Sequence, residues 1–451
     1  MQDAPVVNVR EELAGAPVTR THVVVAGLIA LVLFFDGYDV FNPSYVIHYV
    51  MKPWHLAPGS AGFLVSAGLI GFTIGAIAQG PIADRYGRRR TLIGGLWVAS
   101  VFSLATAFFG NGFWPFCLLR FFTGLGLGVL MPLGVTFVNE IAPRRIANTF
   151  STLGWLLGWA AGGTVASIVG VFLTPSFGWP VLYLVGSLSF VLAIALAFLL
   201  PESPQSMVVR GDVAGIAALL ARLNPPRAEH YRDARFTIDE DRSRKGSIAL
   251  LFAPRYRRNT IVIWISAFLL LFALFGLTGW VPTVMMQRGE GFVASFAFGA
   301  LLQVMSLLGQ LAGGAIADRT GDRRSVIMTW WTLGALSVVV LALFGGHAVD
   351  LVCTAAAGFF VIGGQGLLSN FTAHVYETEV RATGVGMELG VGRLGGILGP
   401  YVVGLLQEFV PGSAGMFGAI ALATFASVIV LAFAREPRAL AGPMRVAGAQ
   451  A

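Results

Sequence analysis

At 451 residues, 56 % hydrophobic and 12 % charged, with a mean hydropathy of +0.76, the chain is too apolar for a set of soluble domains and fits a bilayer instead. Its net charge of +7 and pI near 9.8 come with no aromatic-interleaved basic patch and no zinc-ligand spacing, which excludes a nucleic-acid partner. The two cysteines, Cys117 and Cys353, both fall in apolar segments and indicate neither a disulfide framework nor a metal site.

In chain order, stretches of roughly 20 apolar residues occur at 22–49, 60–82, 91–110, 114–138, 148–172, 178–200, 259–286, 293–316, 326–345, 349–371, 383–406 and 413–434. The first follows Asp3, Glu11 and Glu12 and has no small-residue cleavage pattern, so it is expected to stay in the membrane rather than be removed as a signal peptide. The longest polar stretch, 201–258, divides the twelve six and six and reads as a linker between bundles at 1–200 and 259–451. Within it, "DVAGIAALLARLN" (212–224) is amphipathic enough to lie as a helix on the inner membrane face, and "DEDRSRKGS" (239–247) is expected to be mobile. Tails and alternate loops on one side hold 26 of the 30 Lys and Arg, leaving Lys52 and Arg288 opposite and Arg120 and Arg393 inside the membrane. That bias predicts cytoplasmic termini.

The halves repeat each other. "GPIADRYGRRR", from Gly80, recurs as "GAIADRTGDRR", from Gly314, and "EIAPR" (140–144) is echoed by "ETEVR" (377–381). Parallel six-helix repeats facing each other across a cavity suit a transporter with its site near the midplane. The doubled loop resembles the signature of the major facilitator superfamily, which implies an all-α polytopic fold of twelve transmembrane helices in two pseudo-symmetric halves. "DGYD" (36–39), "RFFTGLGLG" from Arg120 and "RATGVGMELGVGRLGGILGP" from Arg381 resemble the aromatic acid:proton symporters, importers of hydroxybenzoate- and benzoate-type anions. "PESPQ" (201–205) resembles an element after helix 6 shared by organic-anion and sugar relatives. Glu388 and the acids of "YETEV" (376–380) depart from that pattern.

Asp36 and Asp39 are three residues apart, so on a helix they share a face. An ionised carboxylate at bilayer depth costs about 3 kcal/mol on lenient scales, so an intramembrane acid is by default functional. At about 1.5 Å per residue, both aspartates and Arg393 come near the midplane, in opposite halves. A guanidinium offers a bidentate seat for a carboxylate. Arg393 is therefore expected to hold the substrate anion while Asp36 or Asp39 takes the coupled proton, with Glu388 an extra acid that could alter proton number. The alternative for Arg393 is an ion pair with Glu388 or a helix-1 aspartate, and Arg120 either pairs with Asp39 or attracts anions.

In the doubled loop, Asp84 and Asp318 could each face a helix N-terminus of the other half, where an acid is favoured, and Arg88 could pair with Glu140. With Arg323 and Arg381 they are the expected gating residues, and Asp322 stands where the first copy has Arg88. Aromatic faces suited to an aromatic acid are Tyr38, Phe41, Tyr45, Trp155, Trp159, Trp280 and Phe359, with Tyr38 and Trp155 preferred. Gln303, Gln310 and Asn370 could orient substrate hydroxyls, and His374 is a solvated end residue or a proton site.

The expected function is proton-coupled import of an aromatic carboxylate by alternating access. The alternative cargo is an aliphatic or diacid anion of muconate type. No Ser/His or His/Glu/His constellation lies at membrane depth, so an enzyme is not expected, nor is a cofactor. The partners are the acid, a proton and the lipid bilayer, in a monomer of a bacterial inner membrane.

Overall fold

The computed structural model describes residues 6–143, 147–232, 234–237, 248–410 and 412–435, and the expected mobile "DEDRSRKGS" lies outside them. Twelve long helical segments follow the apolar stretches within a few residues. The N-terminal half holds α1 (Arg20–Met51), α2 (Pro58–Tyr86), α3 (Arg88–Phe109), α4 (Phe113–Ile141), α5 (Ala147–Phe172) and α6 (Pro180–Leu199, breaking at Leu188). The C-terminal half holds α7 (Arg257–Gln287), α8 (Phe292–Thr320), α9 (Arg323–Leu343), α10 (His347–Val375), α11 (Thr378–Phe409) and α12 (Ser413–Leu431). Among the described residues eleven of these are long and apolar enough to cross a membrane; for α5 the apolar part described is Gly158–Phe172. In hydrocarbon only a helix satisfies its own backbone, which is why such runs fold this way. α10 is interrupted by a π-helical turn at Gly358–Ile362.

Local chemistry sets the helix ends. Pro58 and Pro180 occupy first-turn positions, where the missing N–H costs nothing. The doubled loop owes its glycine to backbone geometry: Gly87 ends α2 at φ 93° and Gly321 ends α8 at φ 69°, a region that side chains disfavour.

The linker is more structured than expected. Helix Val213–Leu223 forms as read, with Asp212 capping it through Gly215 N at 2.9 Å. Its apolar face of Ile216, Leu219, Leu220 and Leu223 is buried in the protein, however, and does not face lipid. It packs beside a short helix, Val9–Gly15, and Val6–Asn8 pairs as a parallel strand with Arg235–Thr237. Glu12 fastens this cap, accepting from Arg227 at 2.5 Å and from the Tyr231 hydroxyl at 2.8 Å. Burial, then Glu12, pushes the Tyr231 phenol up to about 12, so it stays a donor at neutral pH. The end of the linker instead joins the C-terminal half: Arg255 pairs with Glu377 at 2.6 Å, and Leu251 O accepts from Thr260 at 2.8 Å.

The halves meet tightly on the face away from the termini. Ser66 of α2 donates to Ile397 O of α11 at 2.6 Å, Ser167 of α5 donates to Phe296 O of α8 at 2.6 Å, and the Glu408 carboxylate accepts from Gly59 N at 2.9 Å. A β-carbon at Gly62 would stand 2.8 Å from the Pro400 carbonyl carbon. Gly62→Val is therefore expected to wedge this seam apart. Oxidative cross-linking of a Phe63→Cys/Tyr401→Cys pair, whose rings lie 6.1 Å apart here, should fall several-fold in that background.

Candidate functional site

Helix α1 carries both aspartates into the protein, and their surroundings differ. Asp39 is tied within its own half: Arg120 of α4 donates to its Oδ1 at 2.6 Å and to its backbone O at 3.0 Å, and the guanidinium lies 5.3 Å from the Tyr183 ring centre. Arg120 is only 2 % exposed, so it is an internal counterion to Asp39 rather than a free anion site at an outer mouth. Asp36 is fully buried, and neither carboxylate oxygen has a hydrogen-bond partner.

Arg393, half-buried on α11, crosses to the N-terminal half. Its guanidinium carbon stands 3.8 Å from the centre of the Phe72 ring, and Nη2 lies 3.5 Å from Met131 Sδ. Its charge and that of Asp36 act on each other across the interface, without a hydrogen bond between them. Asp36 and Arg393, expected from the sequence to lie near mid-depth, are thus electrostatic neighbours across the interface. A guanidinium held, among the described residues, by a ring face and a thioether has strong donor positions to offer a carboxylate.

Glu388, also fully buried, faces α10: Ser369 donates to Oε1 at 3.0 Å and Oε2 has no partner. It does not pair with Arg393. Gln303 of α8 is buried with Oε1 unpartnered, beside Gly163 of α5.

Several expected contacts are turned elsewhere. Tyr38 is buried, donates to Leu182 O at 2.9 Å and stacks on Phe34, because its side of α1 packs on α6. Trp280 is buried with its indole donating to Pro400 O at 2.8 Å, binding α7 to α11. Asn370 is exposed, and its carbonyl lies 2.8 Å from His374 Nδ1. Phe359 packs within its own half, on Trp330. Phe41 meets Trp159 edge-on at 4.9 Å and Tyr45 meets Phe296 at 5.0 Å. The side chain of Trp155 lies outside the described residues.

Of the gating residues, Arg88 pairs with Glu140 as expected, and the "PESPQ" segment completes that clamp: Ser203 donates to Glu140 at 2.6 Å and Gln205 accepts from Arg88 at 3.1 Å. Glu202 adds a bond to Arg89 N at 3.0 Å. Asp318 pairs with Arg323 of its own loop at 2.8 Å, Arg381 donates to Tyr376 O at 3.3 Å, and Asp84 is exposed. In this conformation Asp318 and Arg381 bond within their own half, while the tight seam lies at the opposite face. Phe72, Met131 and Glu408 escaped the sequence reading, the first two because one apolar residue in an apolar helix carries no pattern.

The family model of the Major Facilitator Superfamily matches residues 27–400. The chain is 33 % identical to the gallate transporter of Pseudomonas putida over 95 % of each chain. It is 33 % identical to a 4-hydroxybenzoate transporter of Pseudomonas aeruginosa, over 82 % of this chain and 83 % of that one, and 30 % identical to the benzoate transport protein of Acinetobacter baylyi, over 87 % and 86 %. The inward open xylose transporter from E. coli superposes with a TM-score of 0.71 at 16 % identity, covering 92 % of this chain and 97 % of that one, which speaks for the fold alone. With its doubled loop, its long apolar helices and these relatives, the chain belongs to the major facilitator superfamily and is a transporter of that type, not an enzyme.

Proposed function

We propose that the protein imports a small aromatic carboxylate together with a proton. The observation that carries this reading is Arg393: a half-buried cation at mid-depth with no carboxylate hydrogen-bonded to it, and with the unpartnered Asp36 as its neighbouring charge. The relatives named for gallate, 4-hydroxybenzoate and benzoate support the cargo class.

Charge balance sets the cycle. Arg120 neutralises Asp39 throughout. Glu388, which no cation bonds among the described residues, keeps its proton, because an unaccompanied carboxylate at this depth is costly. The empty centre is then neutral, with Arg393 balancing Asp36. When the substrate carboxylate takes Arg393, neutrality returns only if a proton joins Asp36. Each monoanion therefore travels with one proton, and the loaded and empty centres can both close. Two six-helix bundles rock about this centre, with Asp84, Arg88, Glu140, Asp318, Arg323 and Arg381 gating the face that bears the termini. That face is cytoplasmic by the positive-inside bias, in a monomer of a bacterial inner membrane.

The test is uptake of radiolabelled benzoate, 4-hydroxybenzoate and muconate into proteoliposomes. An inward proton gradient should drive accumulation of the aromatic acids, a membrane potential alone should not, and Asp36→Asn should abolish coupling. Accumulation of muconate alone would replace the cargo; no proton dependence in the native chain would sink the mechanism.

A further inference from the structure

Phe72 is apolar and central to α2, and nothing in its sequence context singles it out. In the structure it holds the place opposite the one cation proposed to bind substrate. The Arg393 guanidinium carbon stands over the ring, 3.8 Å from its centre, and Nη2 lies 3.5 Å from Met131 Sδ. Both are weak partners for a cation, since a ring offers its quadrupole and a thioether is a poor acceptor. A carboxylate with two parallel N–H bonds is a much stronger one.

The backbone around Phe72 is tightly packed. A β-carbon at Gly124 would sit 2.9 Å from Phe72 N, and one at Gly128 would sit 2.8 Å from the Phe72 carbonyl carbon, so α2 and α4 touch backbone to backbone here. Phe72 is 2 % exposed, and the guanidinium is part of what covers it. Of the pair, Arg393 is the long, half-buried side chain with rotamers open to it, and Phe72 stands on tightly packed backbone.

We propose that Phe72 is the residue that selects for an aromatic cargo, its ring face serving as the resting place of Arg393 in the empty protein and as the stacking surface for the substrate ring in the loaded one. This rests on the reading of Arg393 as the carboxylate seat. A substrate carboxylate draws the guanidinium off the ring, and the face uncovered is already spaced for an aromatic contact. A saturated ring of the same size with the same carboxylate gains the seat but not the stacking.

Benzoate and cyclohexanecarboxylate make the comparison directly. In proteoliposomes the native protein should take up benzoate with a KM about 3- to 10-fold below that of cyclohexanecarboxylate, the span expected for one aromatic contact. Phe72→Leu should bring the ratio close to one, any change common to both acids reporting the lost resting place of Arg393, and Phe72→Trp should keep the preference. Should Phe72→Leu fail to fold, Phe72→Met supplies the same ratio, its fold checked by a single symmetric peak on size exclusion. A retained preference in folded Phe72→Leu or Phe72→Met protein, whether or not uptake of both substrates falls together, overturns the assignment. Uptake of neither acid by the native protein would instead overturn the proposed function, so the two failures are distinguishable.

Discussion

Replacing Arg393 by alanine should abolish gradient-driven uptake of every carboxylate tested, with kcat/KM falling by roughly two to three orders of magnitude, the usual cost of truncating one partner of a hydrogen-bonded charge pair, here the pair made with the substrate carboxylate. Two losses combine. The substrate anion loses its bidentate seat, and Asp36 loses the neighbouring charge that balances it in the empty protein. Arg393→Lys should recover little, because an ammonium cannot offer the planar fork that matches a carboxylate. The variant should nonetheless fold. Among the described residues Arg393 makes no hydrogen bond beyond the contact to Met131, so thermal unfolding in detergent should shift by only a few degrees. Unimpaired uptake by a folded Arg393→Ala protein would place the anion seat elsewhere.

Arg120→Ala should fail in the opposite way, through stability. Its guanidinium holds Asp39 by side chain and backbone in a site where both side chains are almost fully buried. Removing one partner strands the other, at a cost of about 3 to 5 kcal/mol. The expected result is a strongly lowered unfolding temperature and poor yield, visible by fluorescence-monitored thermal unfolding. Asp39→Asn combined with Arg120→Gln removes both charges at once and should regain much of that loss. If Arg120→Ala is as stable as the native protein and loses only substrate affinity, Arg120 belongs to the anion path.

Residues that act through their own helix were legible in advance; of those that act through a neighbour, the charged pairs Arg88–Glu140 and Arg120–Asp39 could be read, and the others could not. Helices of twenty or more apolar residues announce themselves because hydrocarbon tolerates little else, and the segment limits came within a few residues of the structure. Asp36 and Arg393 stand out for the same reason, as charges where charge is expensive. What one sequence does not contain is the azimuth at which each helix packs. Tyr38 and Asp39 lie on the same stretch of α1 as Asp36, yet they turn toward α6 and α4. Trp280 was a plausible ring for the substrate until α11 presented Pro400 O to its indole. The cap of N-terminal tail and linker was hidden for a related reason: its strands are three residues each and more than two hundred residues apart, too short for any periodicity.

The seam on the face away from the termini has a consequence for how such a protein diversifies. In each of its three hydrogen bonds one partner is a main-chain group: Ile397 O, Phe296 O and Gly59 N. A peptide group is present whatever side chain its residue carries. Mutational drift at positions 296 and 397 therefore leaves both acceptors in place, and the side-chain half of the three bonds rests on Ser66, Ser167 and Glu408, with Gly62 kept small against Pro400. Side chains around Arg393 can therefore change without removing the main-chain groups that hold this face closed.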